Sequence, residues 1–182
     1  MIKKVLLGLL ALVVLLVAIV AVLAFVAPTD FRVERSVTIN KPKGEVFGYL
    51  KLLGNQNQWG PWFRKDPGMK LESRGKDGTV GFVSAWDSQN ADVGAGEQEI
   101  TKIIEGDRVD TQLRFKRPFE SQSDAYMIAE PAGDVQTKVR WGFNGSMPRP
   151  MNVMLMVMDM DKEVGKDFEE GLQNLKAILE KQ

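Results

Sequence analysis

The chain's chemistry must come from a short menu, because it contains no His and no Cys. That excludes a Ser-His-Asp triad, a Cys nucleophile, imidazole metal ligands and a zinc–thiolate site. Aromatic, thioether and carboxylate groups remain. Trp59, Trp62, Phe63, Phe82, Trp86, Phe115, Trp141 and Phe143 form one set. As a set they have the character of a wall for an apolar ligand, on which a few polar groups would fix orientation. Taken singly, each is better explained as core or filler. Met151, Met154, Met156, Met158 and Met160 form a second set, with Val153, Leu155 and Val157 between them. Met is flexible and polarisable, so this run fits three readings: a plastic pocket wall, a surface against lipid or a partner, or a helix buried under its own sheet. The lining expected from the two sets is Trp59, Trp62, Phe82, Trp86, Phe115, Trp141, Met154 and Met158.

The remaining candidates are weaker. Glu97 and Glu99 lie two apart in a strand pattern and so share a face. Inside an apolar cavity such a carboxylate would acquire the raised pKa of a general acid or base. The plainer expectation is two solvated carboxylates on the convex face. Arg114 and Arg140 are also expected outward, since Leu113, Phe115, Val139 and Trp141 alternate inward. Gly94-Ala-Gly96 lacks the third glycine and following helix of a dinucleotide loop. Asp159, Asp161 and Glu163 lack the glycine of a metal loop and read as a solvated face. No catalytic residue, metal or cofactor is assigned.

The elements that must position these groups follow from patterning. The 182 residues hold one ordinary domain with an appendage. Val5 to Val26 carries no charged or polar side chain, enough apolar helix to cross the roughly 30 Å hydrocarbon core. The rival is a cleaved signal peptide, whose apolar region runs about 7–15 residues. A cut after Ala27 would set Pro28 at the scissile bond, whereas one after Ala24 is conceivable. Length favours an uncleaved anchor over residues 1–27, followed by a domain over residues 28–182. Lys3 and Lys4 favour a cytoplasmic N-terminus with the domain on the far side, although Arg32 and Arg35 blunt that bias. The 24 basic and 24 acidic residues balance, which argues against a nucleic-acid partner.

Beyond Pro28 the pattern is α+β. Phe31–Ile39 alternates as a strand. Pro42–Leu50 and Leu53–Trp59 read as two short helices, the second broken by Gly60-Pro61. Six strand segments follow: 69–73, 79–86, 97–104, 108–116, 120–130 and 134–144. Turn residues separate them, as in an antiparallel meander. From Pro150 the spacing turns helical to the end: Val157, Met160, Val164, Phe168, Leu172, Leu175 and Leu179. Gly165 is expected to bend or weaken this helix. Only this helix is long enough to cover a sheet of about seven strands. A curved sheet wrapped around it leaves a cavity between them.

This order resembles the SRPBCC superfamily, the helix-grip fold of START lipid-transfer domains, Bet v 1-like plant allergens and polyketide cyclases. Several stretches carry the likeness. Val33–Pro42 with Val46-Phe47 is similar to the family's first strand and helix. Trp59-Gly-Pro-Trp62 with Asp66-Pro67 is similar to its Trp-containing helix and loop. Gly94-Ala-Gly96 before 97–104, Phe115–Phe119, Thr137–Trp141 and Phe168–Leu175 resemble later strands and the closing helix. The likeness spans about Phe31 to Leu179 and is strongest to membrane-anchored bacterial members described as polyketide cyclase/dehydrase and lipid transport proteins. It implies a bacterial inner-membrane location. It carries over no catalytic residue.

The preferred function is a membrane-anchored domain that binds a small hydrophobic or lipid-like ligand, with Val5–Val26 held in the lipid bilayer. One alternative is a cyclase, dehydrase or hydrolase, which requires a buried carboxylate, Tyr126 or an Arg aimed into the cavity. The other is a ligand-free interaction module that meets a protein partner through the Met-rich region.

Overall fold

The computed structural model describes residues Ile2 to Lys181. Helix α1 (Ile2–Val26) opens the chain. Its side chains are almost all exposed to the surroundings, Ala24 excepted. Its length and composition meet the requirement of a membrane span or of a signal sequence. Pro28 then breaks the helix, and alternation takes over.

Strand β1 (Asp30–Ile39) leads to α2 (Lys43–Leu50), a 3-10 turn at Leu53–Asn55, and two one-turn helices, α3 (Gln56–Trp59) and α4 (Pro61–Lys65). The expected second helix, Leu53–Trp59, is a 3-10 turn followed by α3 and ends at Gly60-Pro61 as expected; Pro61 then suits the first turn of a further helix, α4. Six strands follow: β2 (Lys70–Arg74), β3 (Val83–Asp87), β4 (Ala95–Ile104), β5 (Arg108–Arg117), β6 (Ser121–Pro131) and β7 (Thr137–Ser146). Together with β1 they form one antiparallel sheet in the order β1-β7-β6-β5-β4-β3-β2, in which the first strand lies at an edge beside the last, Val37 opposite Val139. This is the α+β helix-grip architecture expected from the pattern.

The C-terminal segment requires a correction. The long helix α5 spans Met160–Leu179 and does not begin at Pro150. Residues Met151–Met156 form a separate 3-10 turn. The break has a local cause: the Asp159 side chain accepts from the Lys162 backbone N–H at 3.1 Å and caps α5. Gly165 also has a role that helix propensity does not reveal. A Cβ there would collide with the Arg35 guanidinium, which lies across the helix backbone. From that seat Arg35 donates to Asp161 (2.8 Å) and Glu169 (2.7 Å), clamping α5 along the edge strand β1.

The interior is solid at one end of α5 and open at the other. At the far end of the sheet, Ile39, Val46, Phe47, Leu50, Leu53, Val139, Leu172, Leu175 and Leu179 pack into one buried cluster. At the end where α1 joins β1, the inner faces of β3 to β6 curve away from α5 and a space remains.

Candidate functional site

The space is a cavity of about 500 Å³ between the first half of α5, helices α3 and α4, and the inner faces of β3 to β7. That volume falls within the usual range of small-molecule sites, about 300–1,000 Å³. Trp141 of β7 and Phe168 of α5 form its floor, their rings stacked with centroids 4.0 Å apart and planes 3° from parallel. Trp62 of α4 meets both rings edge-on, at 5.8 Å and 6.3 Å. Trp59 backs Trp141 from the core at 5.0 Å. The opposite wall holds Trp86 of β3, edge-on to Phe115 of β5 at 5.9 Å. Gly96 makes room for it: a Cβ there would stand 2.7 Å from the Trp86 ring.

Leu113, Ala125, Phe143 and Val164 complete an apolar lining. Four uncharged polar side chains join it: Gln56, Asn57, Ser84 and Gln98. Gln98 donates to Thr111 Oγ1 at 2.9 Å. The Asn57 carbonyl oxygen is buried and receives no donor, a site at which a ligand hydroxyl or amide would be favoured. The ionisable lining residues are exposed or half-buried: Lys65, Asp92, Arg117, Glu163 and Asp167. Lys65 reaches Asp167 at 3.0 Å, so an ion pair marks the rim.

Of the eight lining residues expected from sequence, the structure brings four to the cavity: Trp62, Trp86, Phe115 and Trp141. Trp59 and Phe82 are buried behind the wall. Met154 and Met158 do not reach it. They belong to the 3-10 segment beside α1 and are 45 % and 39 % exposed. Gln98 and Ala125 were legible and overlooked, since strict alternation from Ile100 and Met127 turns both inward. Asn57 had no sequence signal.

Glu97 and Glu99 lie on the outer face with Arg114, which bridges them at 2.8 Å and 2.6 Å. Tyr126 also points outward, over Gly142, rather than into the cavity. Its hydroxyl and Arg32 both donate to Glu34, and Arg140 joins them at 2.9 Å. Partial burial pushes the Glu34 pKa up. Donation from Arg140, Tyr126 and Arg32 outweighs that and holds the carboxyl at about 2. This network stiffens the convex face and stays remote from the cavity. Among the described residues, no cluster of acidic side chains has the makings of a metal site.

Comparison with known proteins settles the family. Residues 30–180 match the family described as polyketide cyclase / dehydrase and lipid transport. The chain belongs to that family. The match begins at β1 and leaves α1 outside. The polyketide cyclase / dehydrase and lipid transport fold also appears in solved structures of low identity. Norcoclaurine synthase from Thalictrum flavum is 10 % identical with a TM-score of 0.61, covering 85 % of this chain and 97 % of that one. The protein Ara h 8.0201 is 14 % identical with a TM-score of 0.56, covering 84 % and 99 %. The Mll3558 protein from Rhizobium loti is 17 % identical with a TM-score of 0.59, covering 81 % and 96 %. At these identities the likeness establishes the fold alone. The sequence matches no curated protein.

Proposed function

We propose that this protein is a membrane-anchored binder of a small hydrophobic or lipid-like molecule, held in the cavity between sheet and α5. The observation that carries the reading is the aromatic cavity of about 500 Å³ with its ionisable groups at the rim. Four residues are its principal contacts: Trp62, Trp86, Phe115 and Trp141. An apolar ligand gains about 25 cal/mol for each Å² it removes from water, and aromatic edges and faces add shape selectivity. The Asn57 oxygen supplies one orienting acceptor. The family description includes lipid transport, and one fold relative has been seen with two aromatic compounds, dopamine and hydroxybenzaldehyde.

In this reading residues 1–27 are an uncleaved anchor with a cytoplasmic N-terminus, and residues 28–182 stand beyond a bacterial inner membrane. Anchoring keeps the cavity beside the reservoir of an apolar ligand. General acid–base chemistry would need an ionisable group deep in the cavity; here such groups stand at the rim, which favours carriage over catalysis.

The test is a titration of a fluorescent acyl probe into the full chain in nanodiscs, with empty nanodiscs as background. Saturable binding of one probe per chain is expected, and it should weaken at least about ten-fold when Leu113→Trp and Ala125→Phe fill the space. Emission equal to that of empty discs would defeat the proposal.

A further inference from the structure

Three features meet at the α1 end of the domain. The first is an apolar surface. Between Met151 and Met158 the chain carries no charge, and five of its side chains stand in the open: Met151 (41 %), Met154 (45 %), Met156 (52 %), Val157 (84 %) and Met158 (39 %). So much contiguous apolar exposure calls for a covering phase. Asn152, the polar residue inside the run, is fully buried and turned the other way.

The second is a fixed attachment. Asn152 Nδ2 donates to the carbonyls of Ala24 (2.8 Å) and Ala27 (3.0 Å). Arg149 Nε donates to the Ala24 carbonyl at 2.9 Å, and its guanidinium stands over the Phe25 ring. The last turn of a helix leaves carbonyls without partners, and here residues more than a hundred positions away supply them. The attachment therefore sets the height of the Met-rich segment. It lies level with the final turn of α1, where an apolar span of this length leaves the hydrocarbon.

The third is continuity with the cavity. From Met158 the chain passes through the cap Asp159 directly into α5, whose Glu163, Val164 and Asp167 border the cavity. The antiparallel topology brings the β5–β6 turn to this same end, where Phe119 is 68 % exposed.

We infer that Met151–Met158 is a membrane-seated foot, its Met and Val side chains immersed at the lipid surface, which holds the cavity mouth against the bilayer. The occupant of this surface is lipid, because the segment is hydrogen-bonded to the end of the span itself. Unbranched thioether side chains suit a disordered acyl boundary. The foot gives an apolar ligand a short path between membrane and cavity. The inference rests on reading α1 as an anchor.

The absence of cysteine makes a clean test possible. Single substitutions Val17→Cys, Met154→Cys, Val157→Cys and Val135→Cys are made in the full chain and labelled with a nitroxide. The chains are reconstituted in phosphatidylcholine/phosphatidylglycerol vesicles. Collision rates with oxygen, which concentrates in lipid, and with a water-soluble nickel chelate are then compared. Val135 lies in the β6–β7 turn at the far end of the sheet and reports water. The expected result is an oxygen-to-nickel ratio at Met154 and Val157 several-fold above that at Val135, and highest at Val17. Ratios at Met154 and Val157 equal to that at Val135, with Val17 in lipid, would overturn the foot and leave the anchor standing. Labels at Met154 and Val157 shielded from both reagents would overturn it in favour of a protein contact. A ratio at Val17 equal to that at Val135 would remove anchor and foot together.

Discussion

The Trp141 indole lies flat on the Phe168 ring, 4.0 Å between centroids and 3° from parallel. One residue comes from the sheet and the other from α5, so this pair joins the two layers and separates the solid core from the cavity. Phe168 is 2 % exposed. Phe168→Ala should therefore cost about 3–5 kcal/mol of stability. Chemical unfolding of the full chain in mild detergent, followed by near-ultraviolet circular dichroism, measures it. A loss below about 1 kcal/mol would mean that the stack holds nothing together.

Gly165 sets up a prediction of sign. In an exposed helix interior, Gly→Ala stabilises by about 1 kcal/mol. Here the new methyl would displace Arg35 from Asp161 and Glu169. Gly165→Ala should destabilise by about 1–3 kcal/mol despite the better helix former. The same variant should release α5 from β1, seen as faster amide exchange in its first two turns.

Glu34 governs part of the acid limb of stability. Its folded pKa of about 2 lies below the ordinary carboxylate value. Its contribution is thus complete above about pH 4.5 and is lost as pH falls toward 2. At neutral pH that contribution is on the order of 2 kcal/mol after allowance for its partial exposure. Glu34→Gln should lower stability at pH 7 and flatten the fall between pH 4.5 and 2. An unchanged acid limb in the variant would place the titrating group elsewhere.

Asn152 supplies a fourth test. It is fully buried and donates to two carbonyls at the end of α1. Asn152→Leu keeps the branched shape, deletes the donors and strands the Ala27 carbonyl, while Arg149 still serves that of Ala24, a cost of about 1–3 kcal/mol. Hydrogen exchange should accelerate across residues 147–158 while β5, β6 and β7 keep their protection. Uniform acceleration would show that Asn152 supports the whole domain.

Much of this architecture was legible because alternation and helical spacing are local. Val139, Trp141 and Phe143 announced an inward face, and the structure turns them to the core and cavity. Arg114 and Arg140 read as outward and are found there, each paired with carboxylates. The Met-rich run stayed open to several readings for a physical reason. Apolar residues at every position fit a buried helix as well as a segment facing another phase, and periodicity cannot separate the two. What separates them is a local cap at Asp159 together with a nonlocal contact, the docking of Arg149 and Asn152 on α1. The cavity had the same difficulty. Phe82 and Phe115 have similar patterns, yet one packs into the core and the other borders open space. The difference depends on which elements pack against each ring in three dimensions, which alternation along one strand does not record.

Photo-crosslinking tests the central claim most directly. The full chain is reconstituted in vesicles containing a phospholipid with a diazirine on one acyl chain, irradiated, digested and mapped by mass spectrometry. The account predicts adducts on peptides carrying Trp62, Leu113 or Phe143 as well as on α1, with the first group lost when Leu113→Trp and Ala125→Phe fill the cavity. Adducts confined to α1 and Met151–Met158 in the unaltered chain would contradict it, for the lipid would then touch the protein without entering.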